Sequence, residues 1–425
     1  MAGRRLSRRG PLAPWRRNLY VLMLTVFVSF SGFTFVMPFL PLFITQLGVT
    51  DTGDAALWSG LIFGVSPLIS GLLAPFWSSL AERFGAKRIV IFSLLAYACT
   101  LSANAFVMNV EQLFFVRLML GILGSVGVMS TALASTLAPP EESGEAIGLM
   151  QATALASGVF APVFGGVIVD VVGLRPSFIL AGVCSLLACV AMAVGYRDDA
   201  RLIGGARRRD RPSARTYFRL PIFVSLLLTV FVARFIEGSF GPQLPLYIAT
   251  LGAPAERLGL ITGLVMTLGA AATSIAAAVA GRLSSRVTPV TLLLIALAAG
   301  TLCCLPLAFV SHWVQLLVLR VVLGLFAGGA LILAFAIGGQ ALPAEVKLGA
   351  IAALAGFAQI GMAVSPFVSG ALAKWSSLST IFIVDAVLYM LLFLWVWWRL
   401  GASARVRLAP VGQAAVRSTD SSTRG

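Results

Sequence analysis

The sequence predicts an all-α integral membrane protein with twelve transmembrane helices in two pseudo-symmetric six-helix halves. Composition is the first reason, since 59% of the 425 residues are hydrophobic, only 11% are charged, and the mean hydropathy is +0.97. A soluble globule of this size would need far more charge to cover its surface. The second reason is that apolar runs of about 20 residues, the length that crosses a bilayer, recur along the chain. The third is an internal repeat.

The repeat places two copies of one pattern about 204 residues apart. The segment from Leu40 to Gly48 (LPLFITQLG) returns from Leu244 to Gly252 as LPLYIATLG. Two further matches follow in the same order: Gln112, Arg117 and Gly121 return as Gln315, Arg320 and Gly324, and Pro162, Gly165 and Gly166 return as Pro366, Ser369 and Gly370. Duplicated bundles of membrane helices are a common architecture of transporters, so the repeat favours a transporter.

Each predicted helix corresponds to one apolar run. In chain order, the runs lie near residues 20–45, 57–79, 89–108, 111–135, 147–170, 176–196, 220–246, 258–281, 290–310, 313–337, 349–372 and 379–399. The first run is too long for the apolar core of a signal peptide and no small-residue cleavage site ends it, so we expect it to be retained as a membrane helix.

The net charge of +15 follows the predicted topology and does not indicate a nucleic-acid partner. Six arginines precede the first helix, three basic residues follow the second, eight arginines follow the sixth, and five lie after Trp398. The alternate loops hold only Arg175, Arg257 and Lys374. Excess Lys and Arg on every second loop is the positive-inside pattern, which predicts that both termini are cytoplasmic.

The domain boundaries follow from these patterns. Residues 1–196 form the first six-helix half, 197–219 a cytoplasmic basic linker, 220–400 the second half, and 401–425 a cytoplasmic tail with a composition typical of disordered segments. No loop is long enough for a soluble catalytic domain, and the chain has no phosphate-binding loop motif. The five cysteines lie inside predicted helices without metal-ligand spacing, and His312 lies in an outer loop. We therefore expect no enzymatic activity, no metal site and no cofactor.

The loop between the second and third helices carries a charged motif. It runs from Ser78 to Arg88 as SSLAERFGAKR, and a carboxylate, basic residues and a glycine turn at the inner membrane face can form a charge latch. The motif resembles the loop signature of the major facilitator superfamily, Gly-x-Leu-Ala-Asp-Arg-x-Gly-Arg-Lys, with Ser78, Glu82 and Ala86 as departures. The resemblance implies a gating role for five residues: Glu82, Arg83, Gly85, Lys87 and Arg88. The alternative is a polar turn with no such role. The corresponding loop of the second half lacks the acid, with Ser285 in its place.

Arg117 is a charged residue inside the fourth predicted helix. A cation in lipid is costly, so it needs a partner or a watery cavity, and it is a functional candidate by default. The pattern of Leu113, Arg117, Gly121 and Gly124 resembles the fourth-helix motif of the superfamily, whose arginine the family associates with proton coupling. The alternative is a purely structural ion pair. Arg320, its repeat equivalent, makes a weaker candidate.

The fifth predicted helix carries small residues and a proline along its length. Small residues let helices approach closely, and proline bends a helix by removing a backbone hydrogen bond. The positions are Gly148, Ser157, Ala161, Pro162, Gly165 and Gly166. They resemble the antiporter signature of the superfamily, with Ser157 and Ala161 in place of glycines, and the resemblance implies export rather than uptake.

Three further charges lie inside predicted helices of the second half. Arg234 and Glu237 are three residues apart and therefore share a helical face. Asp385 is in the last helix. A partly desolvated carboxylate can exchange protons, so Glu237 is the main proton-site candidate, with Arg117, Arg234 and Asp385 as further coupling candidates. The alternative for Glu237 is a structural ion pair with Arg234.

The predicted substrate contacts are largely apolar with scattered amides, a surface that suits amphiphilic compounds. The candidates are Phe33, Met37, Gln151, Gln243, Gln359 and Arg320. Over nearly its whole length the chain resembles the twelve-helix drug:proton antiporter branch of the major facilitator superfamily.

That resemblance implies a monomer in the bacterial plasma (inner) membrane. It implies proton-coupled efflux of small amphiphilic compounds by alternating access, with lipid contacts and no cofactor other than the proton gradient. Two alternatives remain open. One is an importer or exporter of a metabolite such as a sugar or an organic anion, and the other is a lipid-handling or non-transporting membrane protein.

Overall fold

The computed structural model describes residues 14–124, 126–137, 142–197, 221–284, 286–342 and 344–401. These residues form helices and short connections, and none of them is in a strand. The predicted linker and tail, and Ser285, lie outside the described residues except at positions 197 and 401.

The first eight α-helices follow the first six apolar runs. They are α1 (Pro14–Val36), α2 (Leu40–Gln46), α3 (Thr52–Phe84), α4 (Ala86–Ala103), α5 (Val110–Leu123), α6 (Val126–Leu137), α7 (Ser143–Val172) and α8 (Leu174–Gly195). A short 3₁₀ segment, Met37–Phe39, joins α1 to α2, with Pro38 and Pro41 at the junctions. Each proline lacks an N–H, so the first membrane-spanning segment changes helix type here instead of running straight.

The second half supplies seven more helices. They are α9 (Pro221–Thr250), α10 (Leu258–Leu283), α11 (Pro289–Cys304), α12 (Trp313–Ala327), α13 (Ala330–Ala341), α14 (Ala344–Trp375) and α15 (Thr380–Val396). Eleven helical segments of the described chain are long and apolar enough to cross a membrane. The fourth predicted helix is not among them, because it divides at Gly124, whose extended ψ of 108° ends α5. Its two parts, α5 and α6, still cover the predicted run, so an all-helical membrane protein is confirmed.

The repeat is visible in the backbone as well as in the sequence. Gly48 and Gly252, the last residues of the two repeated segments, both have positive φ, at 99° and 75°. A residue with a side chain rarely adopts this conformation, which explains why both copies end in glycine.

The described helices belong to two compact units. Unit 1 contains the described residues up to 197 together with 239–270 and 363–378, and unit 2 contains the other described residues. The ends of α9, α10 and α14 thus pack with first-half helices in unit 1. The two units are defined by contacts between helices, whereas the two halves are predicted from the sequence repeat. The division into halves stays a prediction.

Unit 1 is built on α1, which packs against α7 and α8, while α4 packs against α8 and α3 against α5. Its buried core includes Leu22, Trp77, Leu94 and Met192. Trp77 brings a polar N–H group into this core, and that indole N–H donates to the carbonyl oxygen of Ile122 at 3.1 Å. In unit 2, α11 packs against α12, α13 and α15. Gly300 of α11 lies against the ring of Tyr389 of α15, where a Cβ would come within 2.7 Å of the ring.

Candidate transport and gating sites

Arg117 lies in the core of unit 1, where only 1% of its surface is exposed. Its helix, α5, begins at the N-cap Asn109, whose side chain accepts from the backbone N–H of Gln112. The backbone carbonyl of Arg117 accepts from the Ser66 hydroxyl at 2.6 Å, which ties α5 to α3 at this level.

The guanidinium of Arg117 is surrounded by neutral groups. Its Nη1 contacts the sulfur of Met37 at 3.2 Å, and its Cζ lies 6.0 Å from the ring centroid of Phe178. Tyr97 is close enough for an electrostatic interaction. Among the described residues, Nε and Nη2 have no hydrogen-bond partner and the side chain forms no ion pair. The alternative of a structural ion pair therefore finds no partner in the part of the chain that the structure describes.

Arg234 and Glu237 do form the ion pair that their spacing allows. Arg234 Nη1 donates to Glu237 Oε2 at 2.8 Å, and the side chains are 30% and 52% exposed. The structural alternative considered for Glu237 is thus present as a contact, while its role in proton exchange stays a prediction.

Asp385 and Arg320 belong to a more deeply buried polar cluster in unit 2. Asp385 is 1% exposed, and it interacts electrostatically with Arg320 and Tyr389. Cys304 and Glu237 contribute to the same electrostatic environment of Arg320. The two repeat-related arginines therefore differ, because Arg320 has carboxylates nearby, whereas the described neighbours of Arg117 are neutral.

The small-residue motif of α7 makes close backbone contacts inside unit 1. A Cβ at Gly165 would overlap the carbonyl oxygen of Phe35, and one at Gly166 would overlap that of Gly259 in α10. Ser157 and Ala161 are buried, and the Ser157 hydroxyl is 3.1 Å from that of Ser31 in α1. Gly148, by contrast, has open space within 4 Å of where a Cβ would be. The close backbone contacts are therefore made by Gly165 and Gly166, at the C-terminal end of the motif.

The partner residue Gly263 completes this contact, since a Cβ there would overlap the carbonyl oxygen of Pro162. We call this close contact between α7 and α10 the α7/α10 crossing. A second close contact, between α3 and α14, lies in the same unit, and we call it the α3/α14 crossing. A Cβ at Gly60 would overlap the carbonyl oxygen of Pro366, and one at Gly370 would lie 2.7 Å from that of Ala56.

The predicted gating loop forms a turn between α3 and α4. Gly85 has φ of +91° and ends α3, with its N–H donating to Ala81. Lys87 Nζ donates to the carbonyl oxygen of Tyr196 at 2.7 Å, which attaches α4 to the end of α8. Glu82, Arg83 and Arg88 are exposed, and in the described part of the chain Glu82 makes neither a hydrogen bond nor an ion pair. The charge latch predicted for Glu82 stays a prediction.

The predicted substrate contacts are dispersed. Met37 touches Arg117, and the ring of Phe33 lies 6.0 Å from that of Tyr97. Gln243 is buried and donates to the carbonyl oxygen of Ala56 at 3.3 Å, whereas Gln359 is exposed. The side chain of Gln151 lies outside the described residues.

A separate apolar groove of about 710 Å³ lies on unit 2. Leu305, Phe309, Val314 and Val318 line it, and none of the predicted substrate contacts does. In the described part of the chain, no three His, Cys, Asp or Glu side chains lie together in an arrangement that could hold a metal ion.

Sequence reasoning missed several residues of these sites. Asp170 accepts hydrogen bonds from the backbone of α10, and Lys374 forms an ion pair with Asp54 at 2.9 Å. Tyr97 and Tyr389, which flank the two repeat-related arginines, were missed as well. The internal repeat is the sequence signal that relates Lys374 to Asp170, because Lys374 lies 204 positions after Asp170.

Comparison with known proteins places these features in context. A family model described as the Major Facilitator Superfamily matches residues 22–313 and 226–419. The multidrug resistance protein MdtG of Yersinia enterocolitica is 32% identical over 321 residues, covering 75% of this chain and 77% of that protein. MdtG of Serratia proteamaculans is 33% identical over 326 residues, covering 76% and 78%. MdtG of Escherichia coli is 31% identical over 319 residues, covering 75% and 78%.

Two solved structures share the fold. A bacterial homologue of the human lysosomal transporter Spinster, in an inward-facing and occupied conformation, has a TM-score of 0.74 and 14% identity, covering 92% of this chain and 97% of that one. A variant of the nucleoside transporter NupG has a TM-score of 0.72 and 12% identity, covering 90% and 100%. The fold of this chain is thus shared with solved membrane transporters.

Proposed function

The chain belongs to the Major Facilitator Superfamily, and we propose that it exports drug-like amphiphilic compounds in exchange for protons. It is a transporter rather than an enzyme. The observation that carries the efflux proposal is the similarity, over three quarters of the chain, to proteins named for multidrug resistance. We place it in the bacterial inner membrane as a monomer with both termini cytoplasmic, in keeping with the arginine distribution.

Proton coupling is proposed from the difference between the two arginine sites. Arg117 is buried among neutral groups, whereas Arg320 has the carboxylates of Asp385 and Glu237 in its electrostatic environment. Asp385 is buried and interacts electrostatically with Arg320, so it serves to hold Arg320 in place. Glu237 is half-exposed and pairs with Arg234 only through a partly exposed contact. We therefore propose Glu237, and not Asp385, as the residue that exchanges protons.

Substrate binding is proposed to involve the neutral surface near Arg117. Met37, Phe178 and Tyr97 place apolar groups and one hydroxyl beside the guanidinium. Phe178 and Arg117 are buried, so the surrounding helices must part before a compound reaches this site. Apolar area binds varied compounds without a fixed set of donors. The unpaired guanidinium would favour compounds that carry an acceptor or a negative charge.

Alternating access is proposed to use the α7/α10 and α3/α14 crossings. Both join a first-half helix to a second-half helix within unit 1, so they close one end of the transport path. The arginine distribution assigns that end to the external side. Small residues at both crossings allow the helices to separate and return without reorganising large side chains.

The decisive experiment is transport in proteoliposomes with an imposed pH gradient. The panel contains cationic, neutral and anionic dyes and drugs, and a matched liposome without a gradient is the reference. We expect gradient-driven flux of at least one amphiphile. Absence of gradient-driven flux for every compound would refute the antiporter assignment.

The same assay tests Glu237. Glu237→Gln keeps the side-chain shape and removes the titratable group, so we expect efflux to lose its dependence on the pH gradient. Glu256→Gln, at an exposed carboxylate before α10, is the matched control and should leave that dependence intact. Unchanged gradient dependence in Glu237→Gln would exclude this residue as the proton site.

A further inference from the structure

The two crossings in unit 1 are related by the internal repeat. In the α7/α10 crossing, Pro162 meets Gly263 and Gly166 meets Gly259. In the α3/α14 crossing, Pro366 meets Gly60 and Gly370 meets Ala56. Each α14 residue lies 204 positions after its α7 counterpart, and each α10 residue lies 203 after its α3 counterpart. The crossings are therefore the same contact, made twice.

One helical turn beyond the glycine contact, the α7/α10 crossing ends in a carboxylate. Asp170 Oδ1 accepts from the backbone N–H of Gly259 at 3.0 Å, and its Oδ2 accepts from that of Leu260 at 2.8 Å. Both N–H groups are in the first turn of α10, where a helix has no acceptors of its own and carries a positive partial charge. Asp170 thus caps a helix that lies 89 residues further along the chain.

The equivalent position in the α3/α14 crossing carries the opposite charge. Lys374 follows Asp170 by 204 positions, and its Nζ pairs with Asp54 Oδ1 at 2.9 Å. Asp54 is in the first turn of α3, where Asp51 caps its N–H. The repeat equivalent of Asp54 is Arg257, 203 positions later. Each crossing therefore has an acid and a base near its end. Asp170 is on α7 and Arg257 directly precedes α10, whereas the base Lys374 is on α14 and the acid Asp54 is on α3.

We propose that these contacts are two polar locks that hold the external end of the transporter closed, and that their bonding differs. The Asp170 lock is a carboxylate on a helix N-terminus. The Asp54–Lys374 lock is an ion pair between side chains that are 49% and 38% exposed. This role rests on the alternating access proposed above. Each crossing has one acid and one base, so the closed end holds two residues of each sign.

The two kinds of bond predict different responses to salt. An exposed ion pair is screened when the Debye length falls to about 3 Å at 1 M salt. Asp170 is held by two direct hydrogen bonds to backbone N–H groups, which remain when long-range attraction is screened. High salt should therefore weaken the Asp54–Lys374 lock and largely spare the Asp170 lock.

The test measures how fast a buried cysteine in each crossing is alkylated. The five native cysteines are replaced, and Thr262→Cys in α10 or Ser369→Cys in α14 serves as reporter, since both positions are buried in unit 1. A membrane-impermeant reagent added externally reacts in proportion to the open fraction. The measurement needs neither substrate nor gradient, so it succeeds or fails independently of the transport assay.

Asp170→Ala removes a helix cap, and we expect it to raise the reporter rate about fivefold. Lys374→Ala removes an exposed ion pair. Since such pairs contribute little free energy, we expect the reporter rate to rise about two- to fourfold. Glu111→Ala removes an exposed acid in the first turn of α5 and should change neither rate. Equal rates in Asp170→Ala and the parent protein would overturn the proposal.

Two further variants distinguish a lock from a general loss of stability. The exchange Asp54→Lys with Lys374→Asp restores the pair in reverse and should return the rate to near the parent value. At 1 M salt the parent rate should rise to that of Lys374→Ala, which itself should not rise further. A reversed pair as reactive as Lys374→Ala, or a salt response that persists in Lys374→Ala, would contradict the ion-pair lock.

Discussion

Arg117 and Arg320 occupy equivalent repeat positions, yet the free-energy cost of burying their charges differs because their neighbours differ. Arg117 is buried with two nitrogen atoms that have no hydrogen-bond partner among the described residues. A buried cation without a counter-charge is expensive, and a protein keeps one only where function requires it. Arg320 has Asp385 nearby, so its charge is compensated within unit 2.

This difference predicts that Arg117→Met stabilises the protein while it abolishes transport. Methionine keeps most of the apolar contact with Phe178 and removes the uncompensated charge. We expect the thermal midpoint in detergent to rise by about 2 °C or more, with gradient-driven efflux lost. Arg117→Lys, which keeps the charge, should not raise the midpoint. A lower midpoint for Arg117→Met would show that the guanidinium has a stabilising partner.

Asp385→Ala should have the opposite effect on stability, because it leaves Arg320 without its buried counter-charge. Removing one member of a buried charged pair costs about 3 kcal/mol. The second substitution Arg320→Met should recover much of that loss, since no charge is then left unpaired. Thermal and denaturant unfolding of the single and double variants measure both effects, and additive losses would contradict a direct interaction.

At the scale of single helices, the glycines of α7 are not equivalent. Gly166 lies against the backbone of Gly259, whereas a Cβ at Gly148 would meet no described atom within 4 Å. Sequence alone predicted a helix able to pack closely. It did not predict the partner helix, since any helix with small residues could have filled that role.

The prediction for this element compares two glycine substitutions in one helix. Gly166→Ala inserts a methyl group into the α7/α10 crossing, so we expect efflux to fall at least about tenfold because the closed end cannot form. Gly148→Ala enters open space and should keep activity, with stability unchanged or raised by about 1 kcal/mol. Gly60→Ala and Gly71→Ala form the matching pair in α3. Equal efflux by both members of a pair would contradict the importance of the crossings.

At the scale of the whole molecule, topology is the property most directly open to test. The arginine distribution predicts cytoplasmic termini. A fluorescent protein that matures only in the cytoplasm, fused after the tail, should fluoresce. Alkaline phosphatase fused within residues 251–254, between α9 and α10, should be active, because that loop is predicted to be external. A dark tail fusion together with an inactive phosphatase fusion would place the locks on the cytoplasmic side.

The sequence by itself determined the membrane class, the order of the helices, the duplication and the positions of the intramembrane charges. These properties depend on hydropathy, run length and the repeat offset, all of which are local or periodic. The structure adds that Gly48 and Gly252, which end the two repeated segments, share a positive φ.

Only the tertiary structure decided which groups meet. Arg117 and Arg320 look alike in sequence, and their difference arises from residues on other helices. Asp170 reads as an ordinary acid at a helix end, but it caps a helix 89 positions away. Such partners are chosen by packing between distant segments, and no pattern along the chain encodes the distance between them.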